Sequence, residues 1–135
     1  MCRRGDIILV EKYKSQGVDV SHHSFVVIDD KDGQIKGLNY DIVALAMSSF
    51  KDEKQKEKKL SYPGNFPITA NEENVDGGNK RDGYIKADQF YFFDKSKIEF
   101  DVIGAVTVEA FTALIEFMNR YLADGYKIEP ITDNL

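Results

Sequence analysis

Short apolar runs separated by polar stretches dominate the first half of the chain. Residues 6–11, 24–28 and 41–47 are rich in branched, aromatic or other apolar side chains and are short for helices, so each predicts a β-strand. The charged segment 51–59 predicts a solvated loop or a helical turn, with a basic rim that touches a phosphate backbone as its functional alternative. Nearby prolines and a glycine interrupt regular secondary structure, so this part of the chain predicts only one short strand, around Ile68.

The second half shows clearer periodic patterns. Residues 84–93 alternate with a period of two, which predicts one strand carrying Lys86 and Asp88 on the same face. Residues 100–106 predict a further strand, kinked or bulged near Gly104. The polar stretch before these strands, residues 71–83, predicts a loop.

A terminal amphipathic helix follows. Thr107 is a suitable N-cap, and Glu109 places a negative charge in the first turn, where the helix dipole favours it. Gly125 is the predicted end. The apolar positions recur in steps of three and four and predict one buried stripe, made of Val108, Phe111, Ile115, Met118 and Leu122.

These elements predict a mainly β fold with a C-terminal helix. Five or six short strands and long polar loops favour a small, strongly bent sheet or barrel, with the helix over one open side. A length of 135 residues favours one domain. We place that domain at residues 1–125 and treat residues 126–135 as a C-terminal tail.

Charge and composition narrow the function classes. With 18 basic and 23 acidic residues the net charge is −5, so a uniformly basic coat for nucleic acid is excluded. No apolar run reaches the roughly 18 residues of a membrane span, and no signal peptide is predicted. The single cysteine, Cys2, cannot form an internal disulfide. A cytoplasmic protein with no membrane association is expected.

Few side chains could carry chemistry. His22 and His23 are adjacent, so at most one faces a given site, and both could equally be exposed loop residues. Lys86 and Asp88 could form a surface ion pair, or could place a phosphate-binding charge beside a proton acceptor. We expect no metal, because adjacent histidines rarely chelate one ion. The scattered glycines match no nucleotide-binding fingerprint, and no cofactor is predicted.

An ordered series of segments resembles the MazF/PemK toxin family, which includes Kid and CcdB-like proteins. The best local match is Arg81-Asp82-Gly83-Tyr84-Ile85-Lys86-Ala87-Asp88-Gln89, which resembles the family's Arg-Asp-Gly leading into an Ala-Asp-Gln strand. Residues 4–10, 23–28 and 42–49 are similar to its first three strands. The similarity runs from about Arg4 to Leu122.

The resemblance implies a bent SH3-like barrel, a homodimer and an endoribonuclease that cleaves single-stranded RNA without a metal or cofactor. In such toxins an RNA 2′-hydroxyl attacks the adjacent phosphate, which leaves a cyclic phosphate and a 5′-hydroxyl. The reaction needs a base, an acid and positive charge at the phosphate. An antitoxin protein on a separate chain is also implied.

The resemblance assigns roles residue by residue. His23 occupies the place of a family arginine, Lys86 that of an arginine in the Kid branch, and Asp88 that of the branch's catalytic aspartate, so these three are the expected catalytic residues. Residues expected to bind substrate are Ser48, Ser49, His22 and Arg81. Because the departures from the family remove fixed positive charge, the alternative is a catalytically inactive MazF-like barrel that binds a protein or RNA.

Overall fold

Nine strands and two helices make up the described part of the chain. A computed structural model describes residues 2–30, 42–69, 75–76 and 81–135. The strands are β1 (Asp6–Ser15), β2 (Val18–Asp30), β3 (Ile42–Ser49), β4 (Asn65–Ile68), β5 (Val75–Asp76), β6 (Gly83–Lys86), β7 (Gln89–Phe93), β8 (Phe100–Val106) and β9 (Glu129–Asn134). The helices are α1 (Glu53–Leu60) and α2 (Val108–Ala123), with a 3₁₀ turn at Lys95–Lys97.

All nine strands belong to one sheet. Its main path runs β4-β6-β3-β2-β1-β8-β5, and β7 pairs with both β3 and β9. One edge of β3 therefore pairs with two strands in succession, with β6 near Ser48 and with β7 near Val43. The pairings of the described residues close no ring, so the sheet is open. The mainly β fold with a C-terminal helix is confirmed, whereas the predicted barrel is not.

Both faces of the sheet bury apolar side chains, because alternate residues of a strand point to opposite faces. One face, which we call the aromatic face, packs Tyr13, Phe25, Tyr91 and Phe93 together, with ring centroids 5.1 to 6.5 Å apart. The other, which we call the helix face, lies under α2. Its buried residues include Val26, Leu45 and Ile85, which pack with Leu114 and Met118 of α2.

Helix α2 begins and ends close to the predicted residues. The Thr107 hydroxyl accepts a hydrogen bond from the Ala110 backbone N–H at 3.1 Å, which confirms the N-cap. The predicted stripe is wrong at both ends, since Val108 is 79% exposed and Leu122 48% exposed. The line that faces the sheet consists of Ala110, Leu114 and Met118. The predicted stripe and the buried line share only Met118, so periodicity identified an apolar side of the helix but not the line of closest contact.

Residues 84–93 do not form one strand. The turn at Ala87–Asp88 separates β6 from β7. Between the pairs Met47↔Ile85 and Ala44↔Tyr91, β3 advances three residues while the other chain segment advances six. The segment therefore has three more residues than β3 between the two pairs. Because this number is odd, the side chains after the turn change faces, so Ile85 belongs to the helix face and Tyr91 to the aromatic face. Asp88 lies in the turn and not in a strand, so the prediction that Lys86 and Asp88 share a strand face is wrong.

Two further segments differ from the sequence-based expectation. The segment 51–59, predicted to be a loop or a helical turn, contains most of the two-turn helix α1, whose N-cap Asp52 accepts a hydrogen bond from the Gln55 N–H at 2.7 Å. The C-terminal segment, for which no element is predicted, contains β9. Ile131 of β9 is buried, and the Asn134 side chain bonds both the N–H and the carbonyl of Lys14.

The bulge predicted near Gly104 is confirmed. The partners in β1 change from Ile7↔Gly104 to Ile8↔Val102, which leaves Ile103 as the extra residue. Most of the loop predicted at 71–83 lies outside the described residues. Within the described ranges, neither helix is long and apolar enough to cross a membrane.

Candidate functional site

A half-buried histidine and a serine meet at the end of the aromatic face. The ring of His23, in β2, places its Nε2 atom 3.4 Å from the Oγ atom of Ser48 in β3. The rings of Tyr13 and Phe25 lie 6.3 and 5.9 Å from the imidazole. These neighbours fix the position of His23 beside the Ser48 hydroxyl.

The surroundings of His23 favour a neutral imidazole. Burial is the main cause that lowers the pKa of His23 below the ordinary value of 6.5. A hydrogen bond with the Met47 backbone acts in the opposite direction, and the positive charges of His22 and Lys86 lower the pKa further. At pH 7 the ring is therefore mostly unprotonated and able to accept a proton.

Lys86 supplies a positive charge beside this pair. It follows Ile85 in β6, so it points away from the helix face, and its charge acts on the His23 ring. Strand β6 approaches β3 closely at Gly83, where a Cβ atom would lie 2.0 Å from the Ser48 carbonyl oxygen. We call His23, Ser48 and Lys86 the His23 group.

Asp88 has different neighbours. Its side chain packs against Gly64, where a Cβ atom would lie 2.6 Å from the Asp88 Cβ, and its backbone carbonyl accepts the Glu129 N–H at 2.9 Å. Burial, and then the nearby Asp88 charge, raise the pKa of Tyr121 in α2. The Asp88 Oδ1 atom is buried without a hydrogen-bond partner. Among the described contacts none joins Asp88 to His23, and we call Gly64, Asp88 and Tyr121 the Asp88 group.

The remaining predicted site residues lie around the His23 group. His22 is exposed, and its charge acts on the His23 ring. Ser49 is exposed at the end of β3. Arg81 is exposed, and its Nη2 atom donates a hydrogen bond to the Phe50 carbonyl at 2.9 Å. The structure thus brings Ser49 and Arg81 to the same end of β3 as Ser48.

Sequence reasoning did not identify Tyr13 as a neighbour of this site. Its ring contacts both His23 and Phe25, and burial, with Tyr91 nearby, raises its pKa to about 12. The available signal was an aromatic residue between Lys12 and Lys14, since that alternation is typical of a strand with one buried face. The first predicted strand, residues 6–11, ends before Tyr13, whereas β1 continues to Ser15.

The His23 group offers a proton acceptor, a hydroxyl and a cation within one small region. In the ranges that the structure describes, no group of three histidine, cysteine, aspartate or glutamate side chains could hold a metal ion. The arrangement can bind an anionic oxygen and accept a proton from a hydroxyl group. Comparison of the chain with protein-family models and with curated proteins returned no match in either case.

Proposed function

We propose that this protein is a metal-independent endoribonuclease that cleaves single-stranded RNA. The observation that carries the proposal is the His23 imidazole, which is half-buried, has a lowered pKa and lies 3.4 Å from the Ser48 hydroxyl. A base that is neutral at pH 7 beside a cation is what activation of a 2′-hydroxyl next to a phosphate requires. The resemblance to the MazF/PemK family gives the same reaction.

The proposed reaction divides between the three residues of the His23 group. His23 takes the proton of the RNA 2′-hydroxyl as the oxygen attacks the adjacent phosphorus atom. Lys86 neutralises charge on the phosphate oxygens, and Ser48 donates a hydrogen bond to one of them. The bond from phosphorus to the 5′-oxygen breaks, which leaves a 2′,3′-cyclic phosphate and a 5′-hydroxyl.

The leaving 5′-oxygen needs a proton, and we propose that the protonated carboxyl group of Asp88, the residue that the resemblance aligns with a catalytic aspartate, donates it. In an in-line displacement the attacking and leaving oxygens lie on opposite sides of phosphorus. The acid and the base should therefore flank the phosphate rather than contact each other. Lys86 acts on His23 and is two residues from Asp88, so a phosphate on Lys86 would lie between the two groups.

The proposal includes the architecture and partners that the resemblance implies. These are a bent SH3-like barrel, a homodimer and an antitoxin protein on a separate chain, to which the single cysteine adds a cytoplasmic location. Packed side chains on both faces of the sheet, and the successive pairing of β3 with β6 and β7, support a strongly bent sheet.

The experiment is cleavage of a labelled single-stranded RNA by purified protein in EDTA. We expect products with a 2′,3′-cyclic phosphate and a 5′-hydroxyl. RNA that carries 2′-O-methyl groups should remain intact, because its 2′-oxygen cannot attack. Loss of cleavage in EDTA, or cleavage of the methylated RNA, would contradict the proposed chemistry.

A second candidate is an RNA- or protein-binding domain that does not cleave. It is favoured by the separation of the contacts of Asp88 from those of His23. A binding domain would associate saturably with RNA or a partner and leave the RNA uncut. The cleavage assay, run beside a binding assay on the methylated RNA, distinguishes the two candidates.

A further inference from the structure

A surface cavity adjoins the His23 group. It has a volume of about 420 Å³ and begins at Phe50, the residue that follows Ser49 at the end of β3. We call it the Phe50 cavity. Its volume falls within the roughly 300–1,000 Å³ of small-molecule sites. Phe50 lies two residues beyond Ser48, about 7 Å along an extended chain, so a strand of RNA held at Ser48 would reach the cavity with its next nucleotide.

Several contacts hold the wall of the Phe50 cavity in place. The Phe50 ring stacks on Tyr84 with centroids 5.4 Å apart and an interplanar angle of 29°. Its backbone N–H donates to the Asp82 carbonyl at 3.1 Å, and its carbonyl accepts from Arg81. The Lys56 Nζ atom lies over the ring, 6.0 Å from its centroid. The cavity is therefore built on strand β6 and helix α1 together.

The charges around the Phe50 cavity are mixed. The basic side chains are Lys51, Lys56 and Arg81, and they are matched by three acidic side chains. Of the acidic ones, Asp52 uses one oxygen to cap α1, and Glu53 is exposed in the first helical turn. Cations alone would suit a phosphate, whereas carboxylates beside them add acceptors for the N–H groups of a base.

We propose that the Phe50 cavity binds the nucleotide next to the cleaved bond and prefers guanine over uracil there. This inference rests on the proposed function. The phosphate would contact Lys51 and Lys56, and the base would face Glu53. Guanine presents two adjacent N–H donors, at N1 and N2, which match the two oxygens of a carboxylate. Uracil presents one N–H between two carbonyl oxygens, which a carboxylate repels.

The test is a titration of the folded protein with guanosine 5′-monophosphate or uridine 5′-monophosphate, in which NMR measures the binding. We expect shifts at residues of the cavity and at least about tenfold tighter binding of the guanosine nucleotide, the equivalent of one hydrogen bond to a charged group. Lys56→Gln should weaken the binding of both nucleotides. Glu53→Gln should remove the preference for guanine. Lys54→Gln, a change on α1 outside the cavity, should alter neither.

Each result decides one claim. Equal affinity for the two nucleotides, or a preference that survives Glu53→Gln, would overturn the inference. Mononucleotide binding needs no cleavage. A protein that prefers guanosine monophosphate but leaves RNA intact would therefore support the nucleotide site and contradict the nuclease proposal. A protein that cleaves RNA without this preference would support the nuclease proposal and contradict the nucleotide site.

Discussion

Lys86 of the His23 group and Asp88 of the Asp88 group are only two residues apart in the chain, yet the two groups have different surroundings. Around His23, aromatic rings and a hydroxyl hold an imidazole whose pKa is lowered. Around Asp88, Gly64 packs against the side chain, Tyr121 of α2 is near enough to be affected by its charge, and one carboxyl oxygen is buried without a hydrogen-bond partner. The first environment suits a resting proton acceptor. The second leaves a polar atom whose hydrogen bond is missing, which costs stability unless a ligand completes it.

The largest expected effect distinguishes the two adjacent histidines. His23→Gln should reduce the rate of RNA cleavage by about 10²–10⁴-fold, because it removes the general base. His22→Gln should lose less than about tenfold, because an exposed side chain contributes at most a contact with substrate. Single-turnover rates on one RNA measure both. Equal losses, or none, would refute the assignment of the base to His23.

Asp88→Asn tests the other group. The amide keeps the shape of the side chain against Gly64 but cannot supply the proton, so we expect a loss of about 10²-fold in cleavage rate. The melting temperature should stay within a few degrees of the wild type. A variant that cleaves at the normal rate would remove Asp88 from the mechanism and leave the His23 group as the reactive site.

Lys86→Gln examines the charge between the two groups. We expect weaker RNA binding, and a salt dependence of binding that is shallower by about one unit of slope, because one phosphate contact is lost. Lys58→Gln removes the same charge from an exposed position on α1 and serves as the control. If the two variants behave alike, Lys86 has no special contact with phosphate.

Two glycines allow the packing of each group to be tested separately. Gly83→Ala places a Cβ 2.0 Å from the backbone carbonyl of Ser48, and Gly64→Ala places one 2.6 Å from the Asp88 side chain. Overpacking costs about 1–3 kcal/mol, and we expect Gly83→Ala to lie at or beyond the upper limit because a paired backbone cannot move aside. Urea unfolding compares the variants. A larger loss for Gly64→Ala would contradict this order.

The smallest effect is on the pH dependence of stability. Since the pKa of His23 is below 6.5 in the folded state, the unfolded chain binds more protons as the pH falls, and stability is lost below about pH 6.5. Unfolding at pH 7.5 and 5.5 should show a smaller difference for His23→Gln than for the wild type. Identical differences would mean that the folded protein does not hold His23 neutral.

Much of the architecture could be predicted because it depends on local patterns. Strand β3, the Thr107 cap and the bulge near Gly104 follow from short apolar runs, a capping residue and a glycine in a strand. The split at Ala87–Asp88 could not be predicted, because the alternation of residues 84–93 is regular and only the pairing with β3 shows the excess residues. The prediction that Lys86 and Asp88 share a strand face was wrong for this reason.

The candidate site was accessible only in part for the same reason. Because few side chains could carry chemistry, the sequence indicated His23 and Lys86, and the resemblance to a toxin family added Ser48. The distance from His23 to Ser48 and the presence of Tyr13 depend on cross-strand register, which no local pattern specifies. The lowered pKa of His23 depends on burial, which is likewise a property of the assembled sheet.

The most direct measurement is the pH dependence of kcat/KM for RNA cleavage in EDTA, recorded beside an NMR titration of the His23 imidazole. We predict that activity falls on the acidic side with a midpoint equal to the pKa of His23, below 6.5, and that both values rise together in Lys86→Gln. Cleavage whose midpoint does not follow the imidazole, or no cleavage at any pH, would contradict the account.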